Sequence, residues 1–178
     1  MTIMDFNVDH FALFGLPRAF RIDSDALDRS YREIQAQIHP DRFADADEAA
    51  QRRSLQWATK ANEAYQTLRK PLPRARYLLE LLGHKVKAEN NTTMSTAFLM
   101  EQMEWREAVA EARATGNVTD LADQEVRVRA QIRQAYETLA LDLDERRDCQ
   151  AAEDGVLRLM YLEKLLAEID EALAALEQ

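Results

Sequence analysis

The chain has 178 residues, of which 47% are hydrophobic and 31% charged, and its 4 glycines and 4 prolines favour a globular, helical protein over a turn-rich β fold. No apolar run approaches the roughly 18 residues of a membrane span, and Met1–His10 lacks the basic and apolar segments of a secretory signal. The single Cys149 excludes an internal disulfide framework and fits a reducing compartment, so we expect a cytoplasmic protein.

The net charge of −9 lies entirely in the second half of the chain. Residues 1–83 hold 12 basic and 12 acidic side chains, whereas residues 84–178 hold 11 basic and 20 acidic ones. This change of composition predicts a domain boundary near Gly83. The acidic excess also argues against nucleic acid as a partner of the second half, because nucleic-acid binding relies on cationic surface.

Capping residues and apolar spacing predict the first two helices. Asp9 can cap a short helix that carries two phenylalanines. A second helix should begin near Asp23 or Ser24 and end near Ile38. Its apolar side chains recur at helical spacing along one stripe, which consists of Leu27, Tyr31, Ile34 and Ile38.

The tripeptide His39-Pro40-Asp41 directly follows the second helix. Pro40 has no amide hydrogen, and it biases His39 away from helical angles, so the helix should stop here. The sequence therefore predicts an imidazole and a carboxylate on an exposed, rigid turn. The alternative interpretation is a helix-stopping proline between two ordinary polar residues.

Two further helices complete the first half. After a polar loop, a long helix is predicted from about Asp47 to Arg69, and Pro71 and Pro73 should break it. A last helix from about Arg74 to Leu82 should end at Gly83 in the C′ position. The apolar stripe expected on the long helix consists of Leu55, Ala58, Tyr65 and Leu68.

Three segments of the first half together resemble a J-domain. They are Asp9-His-Phe-Ala-Leu-Phe-Gly15-Leu-Pro17, the His39-Pro40-Asp41 turn and Asn62-Glu-Ala-Tyr65-Gln-Thr-Leu68, in the order and at the separations of that fold. The resemblance implies that the turn docks on a DnaK-type chaperone and stimulates its ATP hydrolysis. The residues expected to contact the chaperone are His39, Pro40, Asp41, Arg29, Arg32 and Arg42.

Three long amphipathic helices are predicted in the second half. They should span about residues 95–114, 119–143 and 147–176, and Gly155 interrupts the pattern of the third. Long helices with short connections favour an antiparallel three-helix bundle. The expected fold is thus all-α, with an N-terminal J-domain at 1–83, a linker at 84–94 and a C-terminal helical bundle at 95–178.

The first helix of the bundle has two apolar faces. At about 100° per residue, one face holds Phe98, Trp105, Val109 and Ala112. The opposite side carries Leu99, Met100 and Met103 beside a row of glutamates. Because a bundle helix needs only one apolar face, the second is a candidate protein-binding surface. Alternatively, Leu99 and Met103 pack against the J-domain or the linker.

The second half narrows the resemblance to the HscB type of J-protein, which serves iron–sulfur cluster assembly. The segments are Pro71-Leu-Pro-Arg74-Ala-Arg-Tyr77-Leu-Leu79, Thr96-Ala-Phe98-Leu-Met100-Glu-Gln-Met103-Glu104-Trp-Arg106-Glu107 and Met160-Tyr161-Leu-Glu-Lys-Leu165. In that family the bundle binds the cluster scaffold protein, and the matching positions here are Leu99, Met100, Met103, Glu104, Glu107, Glu111 and Tyr161. Met103 stands where leucine is usual, and Tyr161 where phenylalanine is usual.

Catalytic and metal chemistry find little support in the sequence. His39 and Asp41 have no nucleophile near them in the chain, so we expect no enzyme. The three histidines are scattered and there are no cysteine pairs, which argues against a zinc site. One thiol is too few to hold an iron–sulfur cluster, so we expect no cofactor and interpret Cys149 as a small helix residue.

The resemblance therefore implies a co-chaperone with two partners. The turn would stimulate a specialised DnaK-type chaperone (HscA-like), and the bundle would deliver an iron–sulfur scaffold protein (IscU-like) to it. One alternative is a J-protein whose bundle binds a different client or dimerises. Another is a plain helical adaptor in which the tripeptide is accidental.

Overall fold

The computed structural model describes residues 7–43, 46–86 and 96–176. Within these ranges the chain is helical and contains no strand, which confirms the predicted all-α class. The chain divides into two compact units, Met1–Leu78 and Leu79–Gln178. The domain borders drawn from the charge distribution remain a prediction, and most of the predicted linker at 84–94 lies outside the described residues.

The first unit is built on a helical hairpin. Its helices are α1 (His10–Leu13), α2 (Ser24–Ile38), α3 (Glu48–Arg69) and the first part of α4 (Pro71–Leu81), with a 3-10 turn at Pro40–Phe43. Three aspartates, Asp9, Asp23 and Asp47, cap α1, α2 and α3 by accepting backbone N–H groups of the first turn. Each of these three helices therefore begins where an acidic side chain satisfies an otherwise unpaired donor.

The core of the first unit lies between α2 and α3 and beneath α1. It consists of Phe11, Phe14, Phe20, Leu27, Ile34, Ile38, Trp57, Ala61, Ala64, Leu68, Ala75 and Leu78. The apolar stripe predicted on α3 is wrong at Leu55, which is 61% exposed. The buried stripe begins one residue earlier, at Ser54, and the serine concealed it from an argument based on apolar spacing.

The ends of α4 follow from proline and glycine. The helix begins at Pro71, three residues before the predicted start, because proline fits the first helical position, where its missing N–H has no partner to lose. At the other end, Gly83 has a positive φ of 87°. The His84 N–H donates to the Leu79 carbonyl and the Gly83 N–H to the Glu80 carbonyl, a Schellman motif.

The second unit contains α5 (Thr96–Thr115), α6 (Val118–Ala140) and α7 (Cys149–Leu176). All three helices pack around one core, which consists of Val109, Ala112, Leu121, Val128, Leu162, Leu165, Ile169 and Ala172. A polar cluster also connects the three helices. Arg158 donates to Glu101 at 3.0 Å and to Gln131 at 2.7 Å, and Gln131 donates to Glu101 at 3.2 Å.

One turn of π-helix, Leu141–Arg146, joins α6 to the connection before α7. The sequence predicts α6 to continue to Leu143 and α7 to begin at residue 147. In the structure α6 ends at Ala140 and α7 begins at Cys149. The wider turn buries Leu143 and Asp142 together. Arg146 donates to the Asp142 carboxylate at 2.8 Å, which compensates the burial of its charge. Arg147 then leaves the helix with a positive φ of 56°.

Gly155 lies inside α7 and does not break it. A Cβ built at this position would lie 3.6 Å from Leu139 Cδ1, an ordinary van der Waals distance. We expect Gly155→Ala to raise the free energy of unfolding by about 0.5–1 kcal/mol, because alanine loses less backbone entropy in a helix. Urea denaturation of the full chain measures this change.

Gly83→Ala is the matched control for Gly155→Ala. An added Cβ would meet no atom within 4 Å at this position, so space is no obstacle, but the positive φ of Gly83 penalises any side chain. This variant should therefore lower the free energy of unfolding. Equal effects from both substitutions would contradict the backbone argument.

Candidate functional site

The His39-Pro40-Asp41 turn lies at the connection of the helical hairpin. As predicted, α2 ends at Ile38, and His39 leaves the helix with φ −57° and ψ 128°. Pro40 then begins the 3-10 turn. The His39 side chain is 58% exposed and that of Asp41 is 89% exposed. Both polar groups are thus available to another protein.

The imidazole of His39 is directed at the backbone of its own turn. Its Nδ1 lies 3.3 Å from the Asp41 backbone nitrogen, where it can accept that N–H, and 3.6 Å from Asp41 Oδ2. This contact leaves Nε2 of His39 directed away from the turn. The histidine therefore helps to fix the loop, and the Asp41 carboxylate is left facing solvent.

Two hydrogen bonds from outside the tripeptide hold the turn against the hairpin. The Ser54 hydroxyl, buried on α3, donates to the Ile38 carbonyl at 2.6 Å. The Arg42 guanidinium donates through Nη1 to the Ala36 carbonyl at 2.8 Å. Both acceptors belong to the last turn of α2, whose carbonyls have no intrahelical partner. The sequence does not predict this role of Ser54. Its only signal there is that one serine on α3 stands at the helical spacing of the buried residues.

Aromatic stacking holds the two arms of the hairpin together behind the turn. The rings of Tyr31 and Tyr65 stack with centroids 4.0 Å apart. The Tyr65 hydroxyl donates to Asp28 at 2.9 Å, and this hydrogen bond is the main reason that the pKa of Tyr65 is raised. Tyr31 donates to Asn62 at 3.3 Å. These contacts fix α2 against α3 and so fix the turn that joins them.

Loss of the Ser54 hydroxyl should destabilise the turn. In Ser54→Ala the Ile38 carbonyl loses its donor in a buried position, so we expect the free energy of unfolding to fall by about 1–3 kcal/mol. Urea denaturation measures the loss, and amide hydrogen exchange shows whether it is largest around residues 38–42.

Thr59→Ala is the control on the same helix. The Thr59 hydroxyl donates to the Leu55 carbonyl at an exposed position, so its removal should change stability by no more than about 0.5 kcal/mol. If both variants lose the same stability, Ser54 has no special role in holding the turn.

The three arginines predicted to contact the chaperone are all exposed. Arg29 and Arg32 are three residues apart on α2 and therefore neighbours on its surface. Arg42 lies beyond the turn but reaches back to the last turn of α2. Arg42 therefore lies at the turn with the exposed carboxylate, whereas Arg29 and Arg32 lie about two to three helical turns earlier on α2.

The second candidate surface lies on α5, whose two faces differ as the sequence predicts. Phe98, Val109 and Ala112 are buried in the bundle, and Trp105 packs beside them. On the outer side Met100 is 58% exposed and Met103 is 63% exposed, while Leu99 is half-buried. The glutamates of this surface are all exposed, namely Glu104, Glu107 and Glu111.

Tyr161 of α7 lies beside this surface and is half-buried against the bundle core. Its ring meets Phe98 edge to face at 5.8 Å, and the Arg106 guanidinium lies 5.8 Å from the ring centroid. Its hydroxyl donates to the Gln102 carbonyl at 2.9 Å. Burial raises the pKa of this hydroxyl and Arg106 opposes the rise, so the phenol keeps its proton and remains a donor.

The structure brings the predicted residues together as two groups. The residues predicted to contact the chaperone belong to the first unit, and those predicted to contact the scaffold belong to α5 and α7 of the second. Across 7–43, 46–86 and 96–176, no group of three His, Cys, Asp or Glu side chains could hold a metal ion. No helix in the same ranges is long and apolar enough to cross a membrane.

A helical hairpin with a His-Pro-Asp turn at its connection is the arrangement of a J-domain, and in this chain a separate helical domain follows it. Comparison with known proteins specifies the class further. The family model described as the HSCB C-terminal oligomerisation domain matches residues 94–170. The "Co-chaperone protein HscB homolog" of Aromatoleum aromaticum is 53% identical over 98% of both chains. That of Ralstonia nicotianae is 50% identical over 94% of this chain and 96% of the relative.

Solved structures give the same result. Chaperone HscB from Vibrio cholerae superposes with a TM-score of 0.83 at 35% identity, over 95% of this chain and 99% of the other. The human co-chaperone protein HscB gives a TM-score of 0.86 at 28% identity, over 94% of this chain and 83% of the other. The chain therefore belongs to the HscB family of co-chaperones.

Proposed function

We propose that this co-chaperone stimulates the ATPase of an HscA-like DnaK-type chaperone and delivers to it an IscU-like iron–sulfur scaffold protein. The observation that carries the proposal is the turn itself. The Asp41 side chain is 89% exposed, while three hydrogen bonds fix the backbone around it: the Asp41 N–H donates to His39 Nδ1, and Ser54 and Arg42 donate to carbonyls at the end of α2. The names of the relatives as HscB co-chaperones support it.

The exposed turn is suited to contact a cationic partner surface. Asp41 would accept charge-assisted hydrogen bonds from an arginine of the chaperone, which are about twice as strong as neutral ones. Pro40 and the bonded His39 hold the carboxylate in one position, so little conformational entropy is lost on binding. Arg29, Arg32 and Arg42 would meet acidic surface around the same contact.

The bundle surface is suited to a partner with an apolar patch and basic neighbours. Leu99, Met100 and Met103 would supply the apolar contact, and methionine adapts its shape to a partner. Glu104, Glu107 and Glu111 would face the partner's cations and orient its approach. Tyr161 would contribute a ring whose position is fixed by Phe98 and the Gln102 carbonyl.

In this mechanism the chain brings proteins together in the cytoplasm, the compartment that its single cysteine favours, and performs no bond chemistry itself. The ATP is hydrolysed by the chaperone. Holding the scaffold on one domain while the other engages the chaperone makes capture of the scaffold effectively intramolecular. Short tethers of this kind give effective concentrations on the order of millimolar.

A steady-state ATPase assay with an HscA-like chaperone tests the proposal. The full chain should raise the hydrolysis rate, and adding an IscU-like scaffold should raise it beyond the sum of the separate effects. No stimulation at saturating concentration would refute the role of the turn. Stimulation without synergy would refute delivery.

A second candidate role for the bundle is self-association. The matching family model is described as an oligomerisation domain, which favours this possibility. Sedimentation velocity from micromolar to hundred-micromolar concentration distinguishes the roles. A dimer that dissociates when scaffold is added would mean that both use the same surface, whereas a monomer throughout leaves the surface to the scaffold alone.

A further inference from the structure

We propose that Met100 and Met103 form an oxidation site that switches off scaffold binding. The inference rests on the proposed function of the bundle surface and adds a regulation to it. The substrates are the two thioether sulfurs, and the oxidant class is a two-electron oxidant such as hydrogen peroxide.

Solvent exposure distinguishes Met100 and Met103 as the methionines most accessible to an oxidant among the described residues. Met100 is 58% exposed and Met103 is 63% exposed, whereas Met160 on α7 is half-buried. They are three residues apart on α5 and so form one patch. Oxidation of a side chain follows its access to solvent, which makes this patch the most reactive methionine pair among the described residues.

The oxidation is chemically simple. The sulfur attacks one peroxide oxygen, the O–O bond breaks and an S–O bond forms. The departing hydroxide takes the proton of the transferred hydroxyl and leaves as one molecule of water. Methionine is thereby oxidised by two electrons to the sulfoxide and the peroxide is reduced by two, with no proton taken from outside. Methionine sulfoxide reductases reverse the change at the expense of a dithiol.

A sulfoxide at either position would oppose an apolar contact. Oxidation turns a flexible apolar side chain into a polar one whose oxygen needs a hydrogen-bond donor. The neighbouring Glu104 and Glu107 are exposed carboxylates, which accept hydrogen bonds and cannot donate them. Unless the partner or Arg106, three residues beyond Met103 on α5, supplies a donor, the oxygen is buried unsatisfied, and binding should weaken roughly tenfold or more.

Position 103 offers a control that keeps the apolar surface. HscB-type proteins that the chain resembles usually carry leucine there, so Met103→Leu keeps the apolar character of the position. Leucine has no sulfur to oxidise and a similar volume. The double variant Met100→Leu/Met103→Leu has no sulfur on this surface, so its own affinity for the scaffold, whatever its starting value, should be the same before and after peroxide. Both positions are exposed, so circular dichroism should show unchanged folding.

The experiment treats the full chain with hydrogen peroxide in a Cys149→Ala background, which removes the only thiol. Peptide mass spectrometry locates the sulfoxides, and calorimetry measures affinity for an IscU-like scaffold. We expect sulfoxide at positions 100 and 103, at least tenfold weaker binding and recovery after treatment with both sulfoxide reductases. The double leucine variant should show no loss.

Three results would overturn the inference. They are unchanged binding when both sulfoxides are present, equal loss of binding in the double leucine variant, and no oxidation at either position at a dose that oxidises free methionine. If the unoxidised chain fails to bind the scaffold, the proposed function itself is refuted and the switch fails with it. The untreated sample thus separates the two failures.

Discussion

Replacing Asp41 by asparagine should reduce stimulation of an HscA-like ATPase by about 10- to 100-fold. The substitution keeps the shape of the side chain but removes the charge that would accept hydrogen bonds from the chaperone, and bonds to charged groups contribute about 1.5–3 kcal/mol. The Asp41 side chain is 89% exposed, so folding should be intact. Steady-state ATPase rates over a concentration series measure the loss.

His39→Gln should also lose most of the stimulation, because the ring nitrogen that fixes the turn is removed. Glu48→Gln is the matched control. It neutralises another exposed carboxylate of the same hairpin, which pairs with Arg52 one helical turn away. Its stimulation should be unchanged. Full stimulation by Asp41→Asn would exclude the proposed contact of the turn.

Truncating Met103 to alanine should weaken binding of an IscU-like scaffold by about 1–2 kcal/mol, which is roughly a 5- to 30-fold change in Kd. The side chain is 63% exposed, so its removal costs the free bundle little. Stimulation of the chaperone without scaffold should be unaltered, because the turn lies in the other unit. Calorimetric titration measures the affinity for the scaffold, and thermal unfolding of the same sample measures the stability of the bundle.

Tyr161 needs two variants, because its ring also supports the bundle. Tyr161→Ala should lower both the melting temperature and scaffold affinity, since it removes the contact with Phe98. Tyr161→Phe loses only the hydrogen bond to the Gln102 carbonyl and restores the residue usual in the family. Val126→Ala, at an exposed position of α6, is the control for truncation. Unchanged affinity in Met103→Ala and Tyr161→Ala, with lowered stability, would make both residues structural.

Local signals were sufficient for much of the fold. Asp9, Asp23 and Asp47 mark helix starts because an aspartate side chain accepts first-turn N–H groups wherever the helix lies. Pro40 marks the end of α2 because its ring acts on the preceding residue. The two faces of α5 also followed from spacing, since burial on one side and exposure on the other repeat with the helical period.

Other features depend on contacts distant in sequence and could not be predicted. Ser54 holds the turn only because the hairpin brings it to the Ile38 carbonyl, sixteen residues away. The orientation of α3 that places Ser54 inside also places the next residue, Leu55, on the outside. The π-helical turn at Leu141–Arg146 depends on burying Leu143 and pairing Asp142, which local spacing does not indicate. The predicted contacts of the candidate site remain predictions.

The hydrogen bond from Arg42 to the Ala36 carbonyl also affects the rate and the selectivity with which this surface binds a partner. A guanidinium has five N–H donors, and this one uses a single donor to anchor itself, so the rest of the planar group is presented in one orientation. The rotamer freedom of Arg42 is thus largely lost during folding rather than at encounter, which lowers the entropy cost of complex formation by about 0.5–1.5 kcal/mol. A lysine at this position could supply the same charge, but its three donors share one nitrogen and lack the planar fork, so anchoring it at the carbonyl would leave no second nitrogen for the partner.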